Sequence, residues 1–160
     1  MERVNRICSH PLWKESLKKI QELEQERIFC RHTMEHFLDV ARIAYIETLE
    51  KDLHISKEVI YGAALLHDIG RHLEYTQDIP HEQGSLQIAE EILKECGFEK
   101  EEQEEILSAI QGHRMQETRF ADDLAGIIYR ADKKSRNCAF CAAVQECNWD
   151  KEKKNLVITV

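Results

Sequence analysis

The most informative residues in this sequence are ionisable side chains placed where the helical pattern calls for apolar ones. His67 and Asp68 directly follow residues 61–66, a run that is almost entirely apolar. An aspartate is almost never fully buried in a protein unless it has a partner. We therefore expect Asp68 to belong to a buried ionic site.

Three further ionisable residues fall on or near the inward faces of other predicted helices. Asp132 lies four residues after Ile128, and His113 lies three residues after Ile110. His36 lies at the edge of another apolar helical stripe. Two carboxylates and several histidines on inward faces suggest one shared partner, and a divalent metal ion supplies the positive charge that they lack. Mixed imidazole and carboxylate ligands suit iron, manganese or zinc.

The elements that must position these residues are helical nearly throughout the chain. The apolar spacing predicts helices over about residues 12–28, 31–49, 57–70, 82–96, 100–112 and 120–135. Ser56 is expected to cap the third of these helices and Gly70 to end it, while Gly97 closes the fourth. Residues 75–80 are expected to form a loop, and residues 155–160 a strand or an extended tail. The predicted fold class is all-α.

Length and composition restrict the function further. The 160 residues are expected to form a single domain, and their net charge of −8 argues against a nucleic-acid binder, which would carry a basic face. Residues 1–20 lack the apolar stretch of a secretory signal, and no apolar run is long enough to span a bilayer. We therefore expect a cytoplasmic protein without a nucleic-acid or membrane partner.

Over about residues 31–136 the sequence resembles the HD superfamily of metal-dependent phosphohydrolases. The family signature is a histidine, then a His-Asp pair, then a distant aspartate. His36 matches the first histidine, His67 and Asp68 match the pair within Leu-Leu-His-Asp-Ile-Gly, and Asp132 matches the aspartate. Residues 1–160 are therefore expected to form a single HD domain, an all-α helical bundle whose matched core covers about residues 31–136. The Cys-rich C-terminal segment at residues 137–160 departs from the most similar type within the family.

The resemblance also implies a dinuclear metal site. Dinuclear members carry one histidine that opens a later helix, matched here by His81, and one that ends the next helix, matched by His113. The implied ligands are His36, His67, Asp68, His81, His113 and Asp132. Asp68 would bridge two divalent ions, for which the family favours iron, with manganese or zinc as alternatives.

The activity implied is hydrolysis of a phosphoester or phosphoanhydride bond in a small, nucleotide-type substrate by attack of metal-bound hydroxide. Asp68, Arg71 and Lys133 are the candidate catalytic residues, with Arg114 as a further candidate. The cationic side chains of Arg71, Lys133 and Arg114 could neutralise negative charge on a phosphoryl group.

Within the family, the sequence is most similar to small bacterial di-iron hydrolases of nucleotides and diadenosine tetraphosphate. The cyclic-dinucleotide branch carries a His-His pair and a Gly-Tyr-Pro motif, but here Arg114 follows His113 and the motif is absent. Mononuclear 5′-nucleotidases use a glutamate at an offset that Glu74 does not match. Two alternatives remain open, namely a non-catalytic HD module that binds a nucleotide or a metal, and a di-iron HD oxygenase with the same ligands.

Two further histidines lie close to the signature. His32 precedes His36 by one helical turn, which is a plausible spacing for two ligands, but the family signature matches only His36. His72 matches no family ligand and is expected on the surface or behind the ligands.

The cysteines form a second candidate site. Structural disulfides are not expected in a reducing compartment. Cys138, Cys141 and Cys147 lie within ten residues, and Cys30 could supply a fourth ligand for a separate structural zinc ion. The alternative is that these thiols only pack against their neighbours. A thioredoxin-like redox role is disfavoured because no βαβ pattern flanks the Cys-x-x-Cys pair.

Overall fold

The computed structural model describes residues 1–158, and its regular structure consists of helices. The eight α-helices are α1 (Glu2–Ser9), α2 (Pro11–Leu23), α3 (Met34–Glu50), α4 (Lys57–Leu66), α5 (Arg71–Gln77), α6 (His81–Cys96), α7 (Lys100–Gly112) and α8 (Leu124–Lys134). Two short 3-10 helices cover Gln116–Phe120 and Cys138–Phe140. The predicted all-α fold class is confirmed, since residues 1–158 contain no strand.

Helix α4 lies at the centre of the bundle, where it contacts α1, α3, α6, α7 and α8. All of its residues from Val59 to Leu66 are buried except Tyr61. Small residues allow close packing on several sides, and a Cβ atom on Gly62 would already lie 3.1 Å from the side chain of Ile106. The His67-Asp68 pair directly follows this helix and is therefore delivered into the middle of the fold.

The C-terminal end of α4 is closed by contacts from two other helices. The indole of Trp13 in α2 donates a hydrogen bond of 2.9 Å to the backbone oxygen of Leu65. Gly70 was expected to end the helix, but α4 stops earlier, at Leu66, and the φ angle of Gly70 is an ordinary −85°. Gly70 matters for a different reason, because a Cβ there would overlap the backbone of Gly84 and Ser85 in α6. The glycine lets α6, which begins with His81, approach the His-Asp turn.

Two further predicted boundaries are wrong, because contacts with distant parts of the chain determine where these elements end. Helix α2 ends at Leu23 rather than near residue 28, and the next residue, Glu24, turns its carboxylate into the protein, where it binds the backbone and ring of His32. The loop predicted for residues 75–80 is shorter, since α5 extends to Gln77. Tyr75, within α5, donates its hydroxyl proton to Glu24 over 2.6 Å.

Other helix ends follow local rules. Gly97 ends α6 with a φ of +81°, as predicted, and Glu99 begins α7 with a capping box. Ser56 precedes α4, but its side chain makes no capping hydrogen bond. Helix α8 begins at Leu124, four residues later than predicted, because the Asp123 carboxylate accepts from a backbone amide and caps the helix there.

The chain end differs from its prediction as well. Residues 155–158 contain no strand, and residues 159 and 160 lie outside the described part of the chain. Among residues 1–158, no helix combines the length and apolar character needed to cross a membrane. The cytoplasmic location expected from the sequence stays a prediction.

We expect Trp13→Phe to destabilise the protein by about 1–3 kcal/mol, because it leaves the buried carbonyl of Leu65 without a donor while preserving most of the aromatic volume. Urea unfolding of the metal-free protein, followed by circular dichroism, measures this loss. Trp149→Phe is the matched control, since Trp149 lies outside the hydrophobic core. Equal destabilisation by both substitutions would contradict the role given to the indole.

Candidate metal centre

The structure brings all six predicted metal ligands together at the ends of five helices. His36 lies in the first turn of α3, His67 and Asp68 follow α4, His81 opens α6, His113 follows α7, and Asp132 lies in α8. Each is buried, and the most exposed of them keep only 6% of their surface. Residues more than 90 positions apart in the sequence therefore share one interior site.

The six residues form two groups whose ligand atoms lie within 4.8 Å of one another. The first group is His36, His67, Asp68 and Asp132, and the second group is Asp68, His81 and His113. Asp68 belongs to both. Each group, taken alone, could hold a metal ion, and the shared carboxylate joins them into one centre.

The two oxygens of Asp68 face different groups. Oδ2 lies 3.4 Å from Nε2 of His67, in the first group. Oδ1 lies 3.2 Å from Nε2 of His81 and 3.6 Å from Nε2 of His113, in the second group. A carboxylate that presents one oxygen to each of two ligand sets has the arrangement required to bridge two ions.

Backbone carbonyls orient two of the imidazoles. Nδ1 of His67 lies 2.7 Å from the carbonyl oxygen of Ala64, and Nδ1 of His113 makes the same contact with Ile110, three residues earlier. A carbonyl oxygen can only accept, so Nδ1 carries the proton in both rings. Nε2 then points towards Asp68, which is how proteins commonly fix the tautomer of a metal-binding histidine.

Side chains orient the other two imidazoles. Nδ1 of His36 lies 3.1 Å from the hydroxyl of Ser135. Nδ1 of His81 lies 3.1 Å from a carboxylate oxygen of Glu74 and 2.9 Å from the guanidinium of Arg71. All four histidines thus use Nδ1 for support and direct Nε2 into the site.

The pKa values of the site reflect buried carboxylates that are balanced by the histidines and cations around them. Burial alone would raise the pKa of Asp68 and of Asp132, yet the neighbouring histidines and cations hold both well below the ordinary value. Burial would likewise lower the pKa of His67, but the two carboxylates raise it to about 9. Burial, with Arg136 and His67 nearby, lowers the pKa of His36 to about 2, which keeps this ring neutral.

Two buried atoms of the centre lack hydrogen bonds within the described residues. These are Nε2 of His67, which belongs to the first group, and Oδ1 of Asp68, the carboxylate oxygen that faces the second group. Unpaired polar atoms in an interior cost free energy unless an ion or another partner satisfies them. Their chemistry, imidazole nitrogen and carboxylate oxygen, fits divalent iron, manganese or zinc.

The three cations predicted to act with the metal all line a cavity of about 330 Å³ that opens from the centre. The ammonium of Lys133 lies 2.5 Å from Oδ2 of Asp132. Arg71 contacts His81 and is mostly buried, whereas Arg114 is half exposed and lies 3.5 Å from Glu82.

Sequence reasoning missed a chain of contacts behind Asp68. Nε2 of His32 lies 3.2 Å from Oδ2 of Asp68, and Nδ1 lies 2.6 Å from Glu24, which also accepts from Tyr75. Although burial opposes it, His32 and Tyr75 lower the pKa of Glu24 to about 2. The spacing of His32 and His36 gave a signal for His32, but nothing in the charged helix α2 marked Glu24. His72 is buried but does not line the cavity.

Arg27 and Arg136 also line the cavity, and neither was predicted to do so. Arg136 lies 3.3 Å from Oδ1 of Asp132 and 3.2 Å from Nε2 of His36. It follows α8 by two residues, so its proximity to Asp132 is an ordinary i,i+4 relationship that the sequence could have indicated.

The cysteines do not show a preformed zinc site. All six are free thiols, and the close ligand groups found among residues 1–158 contain no cysteine. The four candidates Cys30, Cys138, Cys141 and Cys147 nevertheless line one small cavity beside the metal centre. Burial raises the pKa of the Cys30 thiol, Arg136 lowers it, and the other three thiols raise it further.

Comparisons with known proteins agree with the geometry. A family model described as "HD domain" matches residues 33–137. A protein of Clostridium beijerinckii, described as an uncharacterized protein, is 44% identical over 158 residues, which is 99% of each chain. No solved structure matches.

We expect Asp68→Asn to abolish binding of the second ion and to weaken binding of the first, because one carboxylate serves both groups. His113→Asn should remove only the second ion, since His113 belongs to the second group alone. Metal content of the purified, metal-loaded variants, measured by elemental analysis, tests both. Two ions per chain in Asp68→Asn, or a single ion in the fully loaded wild type, would contradict the shared centre.

We expect Glu24→Gln to weaken metal binding by about tenfold, because the neutral amide no longer holds His32 against Asp68 as firmly. Competition with a chelator of known affinity measures the change. Glu22→Gln is the matched control, on the exposed face at the end of the same helix. If both variants bind metal as the wild type does, His32 has no influence on the centre.

Proposed function

This chain belongs to the HD domain family, and from that premise we propose that it hydrolyses a phosphoester or phosphoanhydride bond in a nucleotide-type substrate. The family is generally one of metal-dependent hydrolases. The observation that carries the proposal is the shared carboxylate of Asp68, with one oxygen towards each of two buried ligand groups. Two divalent ions held in this way acidify water at neutral pH and polarise a phosphoryl oxygen.

The residues of the chain contribute orientation to this chemistry. The four imidazoles are fixed by their Nδ1 contacts, so their Nε2 atoms need little rearrangement when ions bind. Preorganised ligands lower the cost of assembling a reactive site. Family resemblance favours iron as the resident metal, and the ligand set also accommodates manganese or zinc.

Cationic side chains on the cavity wall support the proposal that the substrate is phosphorylated. Arg71 and Lys133 are the proposed catalytic cations, and both line the cavity next to the metal ligands. Arg71 is the better oriented of the two, because its side chain is only 16% exposed and its guanidinium is held against His81 and Glu74. A planar guanidinium can donate two parallel hydrogen bonds to a phosphoryl group and neutralise part of its charge.

Aromatic groups in the same cavity support a nucleotide rather than a bare phosphate ester. Phe29 and Trp149 line the cavity together with the cations. Aromatic side chains provide stacking surfaces for nucleobases. The cavity of about 330 Å³ is at the lower end of the range for small-molecule sites, so part of a nucleotide would extend past the opening.

The test is turnover by the full chain loaded separately with ferrous iron, manganese and zinc. The panel comprises nucleoside mono-, di- and triphosphates, diadenosine tetraphosphate and p-nitrophenyl phosphate, with phosphate release and product masses as readouts. We expect release from at least one nucleotide, and loss of about a hundredfold or more in Asp68→Asn. Nucleotide binding without release in any metal form would favour the non-catalytic module, and substrate-dependent oxygen uptake would favour the oxygenase.

We expect Arg71→Gln to lower kcat/KM by about 10–100-fold, since a charge-assisted contact to the phosphoryl group is worth roughly 1.5–3 kcal/mol. Steady-state kinetics on the best substrate of the panel measure the loss. Arg42→Gln is the matched control, because Arg42 lies on the exposed side of α3 and does not line the cavity. Unchanged kinetics in Arg71→Gln, with two ions bound, would remove Arg71 from the reaction.

A further inference from the structure

The four cysteines Cys30, Cys138, Cys141 and Cys147 surround a second cavity, which we call the thiol cavity. Its volume is about 20 Å³, close to the space of a single small ion or water. Its other lining residues are Phe29, Val144, Trp149 and Lys154. Cys30 thus lines the same cavity as the three C-terminal cysteines, although it precedes Cys138 by more than one hundred residues.

Packing against the hydrophobic core does not explain the conformation of residues 137–158, the segment that carries three of these thiols. Residues 137–158 contain only the three-residue 3-10 helix Cys138–Phe140. Cys138 and Ala143 are buried there, but neither belongs to the hydrophobic core of the bundle. Phe140 is 77% exposed. Short segments without a core of their own are commonly held by disulfides or a metal ion, and the thiols here are free.

Backbone turns fold the segment around its thiols. The amide of Cys141 donates to the carbonyl of Cys138 over 3.2 Å, and that of Cys147 donates to the carbonyl of Ala143 over 3.0 Å. These two turns bring the three cysteines to one side of the segment. Compact turns of this kind, with two cysteines separated by two residues, are typical of structural zinc sites.

The end of the segment returns to close the turn and supplies positive charge. The ammonium of Lys154 donates to the carbonyls of Val144 and Cys147, both over 3.0 Å, and it also lines the thiol cavity. Asn155 donates its amide to the carbonyls of Lys133 and Arg136, which follow the last metal ligand of α8. The segment is thus tied to the element that carries Asp132.

The thiol cavity shares a wall with the cavity of about 330 Å³ that opens from the metal centre, which we call the active-site cavity. Phe29, Cys30, Cys147 and Trp149 line both, and Asn148 lines the active-site cavity. Cys147 directly precedes Asn148 and Trp149 in the sequence. Whatever fixes the sulfur of Cys147 therefore also fixes the position of Trp149 relative to the metal centre.

We propose that Cys30, Cys138, Cys141 and Cys147 bind one zinc ion, and that this ion holds Asn148 and Trp149 in place as a wall of the active-site cavity. Binding forms four S–Zn bonds and releases the four S–H protons to solvent. The resulting site carries two negative charges, which Lys154 in the cavity lining and Arg136 near Cys30 would partly offset. Zinc would draw the four sulfur atoms, now outside ligand spacing, to about 2.3 Å from a common centre.

The zinc site does not depend on the proposed function. The contact between Trp149 and a substrate, in contrast, rests on the proposed function. The two parts are therefore tested by different measurements. Only the second uses catalytic activity as its readout.

Cobalt substitution tests the metal site through a signal that reports sulfur ligands alone. We expect the wild type to bind cobalt with a thiolate-to-metal charge-transfer band in the near ultraviolet, which histidine and carboxylate ligands do not give. Cys141→Ser should lose most of this band, because Cys141 lines the thiol cavity but not the active-site cavity. Cys8→Ser, the matched control in α1, and Asp68→Asn should both keep it. Absence of the band in the cobalt-loaded wild type, or its persistence in Cys141→Ser, overturns the proposal.

Thiol counting makes the same test without any variant. The four cysteines of the thiol cavity should react slowly with a thiol reagent in the zinc-loaded wild type and rapidly after a chelator is added, whereas the chelator should not change the reactivity of Cys8 and the buried Cys96. Equal reactivity with and without the chelator overturns the zinc site. Mass spectrometry that finds a disulfide between these cysteines in protein purified under reducing conditions does so as well.

Steady-state kinetics test whether the zinc ion holds Asn148 and Trp149 in place as a wall of the active-site cavity. Manganese prefers nitrogen and oxygen ligands, so it can load the histidine centre of Cys141→Ser without filling the thiol site. We expect the KM of Cys141→Ser for a nucleotide to rise about tenfold, as expected for loss of one stacking contact, with a smaller change in kcat. Trp149→Ala should show the same pattern while keeping the cobalt-thiolate band. An unchanged KM in both variants overturns the wall but leaves the zinc site standing.

Discussion

The burial of the Asp68 carboxylate at the end of an apolar helix is the constraint around which this protein is organised. A carboxylate in that position must be compensated, and the fold supplies five histidines and several cations around it, which also balance the charge of Asp132. Most of these groups lie at the end of a helix or within a few residues of one, where the chain can turn towards the centre. The bundle can be understood as a way of bringing these helix ends to one point, with α4 in the middle and α3, α6, α7 and α8 around it.

The distribution of charge follows from the same constraint. The chain carries a net charge of −8, yet the cavity beside the metal centre is lined by five cationic side chains, namely Arg27, Arg71, Arg114, Lys133 and Arg136. Acidic residues are spread over exposed faces such as that of α7, so they contribute little to the local field in a screened solution. The phosphorylated substrate that we propose would therefore meet a cationic cavity on a protein of negative net charge. The net charge of the chain gave no indication of this cationic cavity.

The parts of the fold and site that could be predicted are those encoded by local patterns. His67 and Asp68 stood out because an ionisable pair follows an apolar run, and the family signature then gave His81, which no periodicity had marked. The end of α2 and the helix α5 could not be predicted in this way. Glu24 follows the end of α2 and contacts Tyr75 of α5, and no local pattern marks these contacts because its partners His32 and Tyr75 come from other elements. The proximity of Cys30 to Cys147 is likewise a property of tertiary packing, since it depends on how residues 137–158 fold back against α8.

The two metal sites differ in what supports them without metal, and this difference decides how each depends on its ion. The ligands around Asp68 are attached to helices whose inner faces form the hydrophobic core, and carbonyl and side-chain contacts already fix their rings. Binding there relieves buried charge in a scaffold that is folded beforehand. The thiols of residues 138–147 have neither core nor regular structure behind them, so the free energy of metal binding would also be free energy of ordering the segment. Because that segment includes Trp149, its conformation would affect the shape of the active-site cavity more than the six ligands, which are attached to the helices of the core. Loss of zinc should therefore loosen substrate recognition while the hydrolytic centre stays assembled.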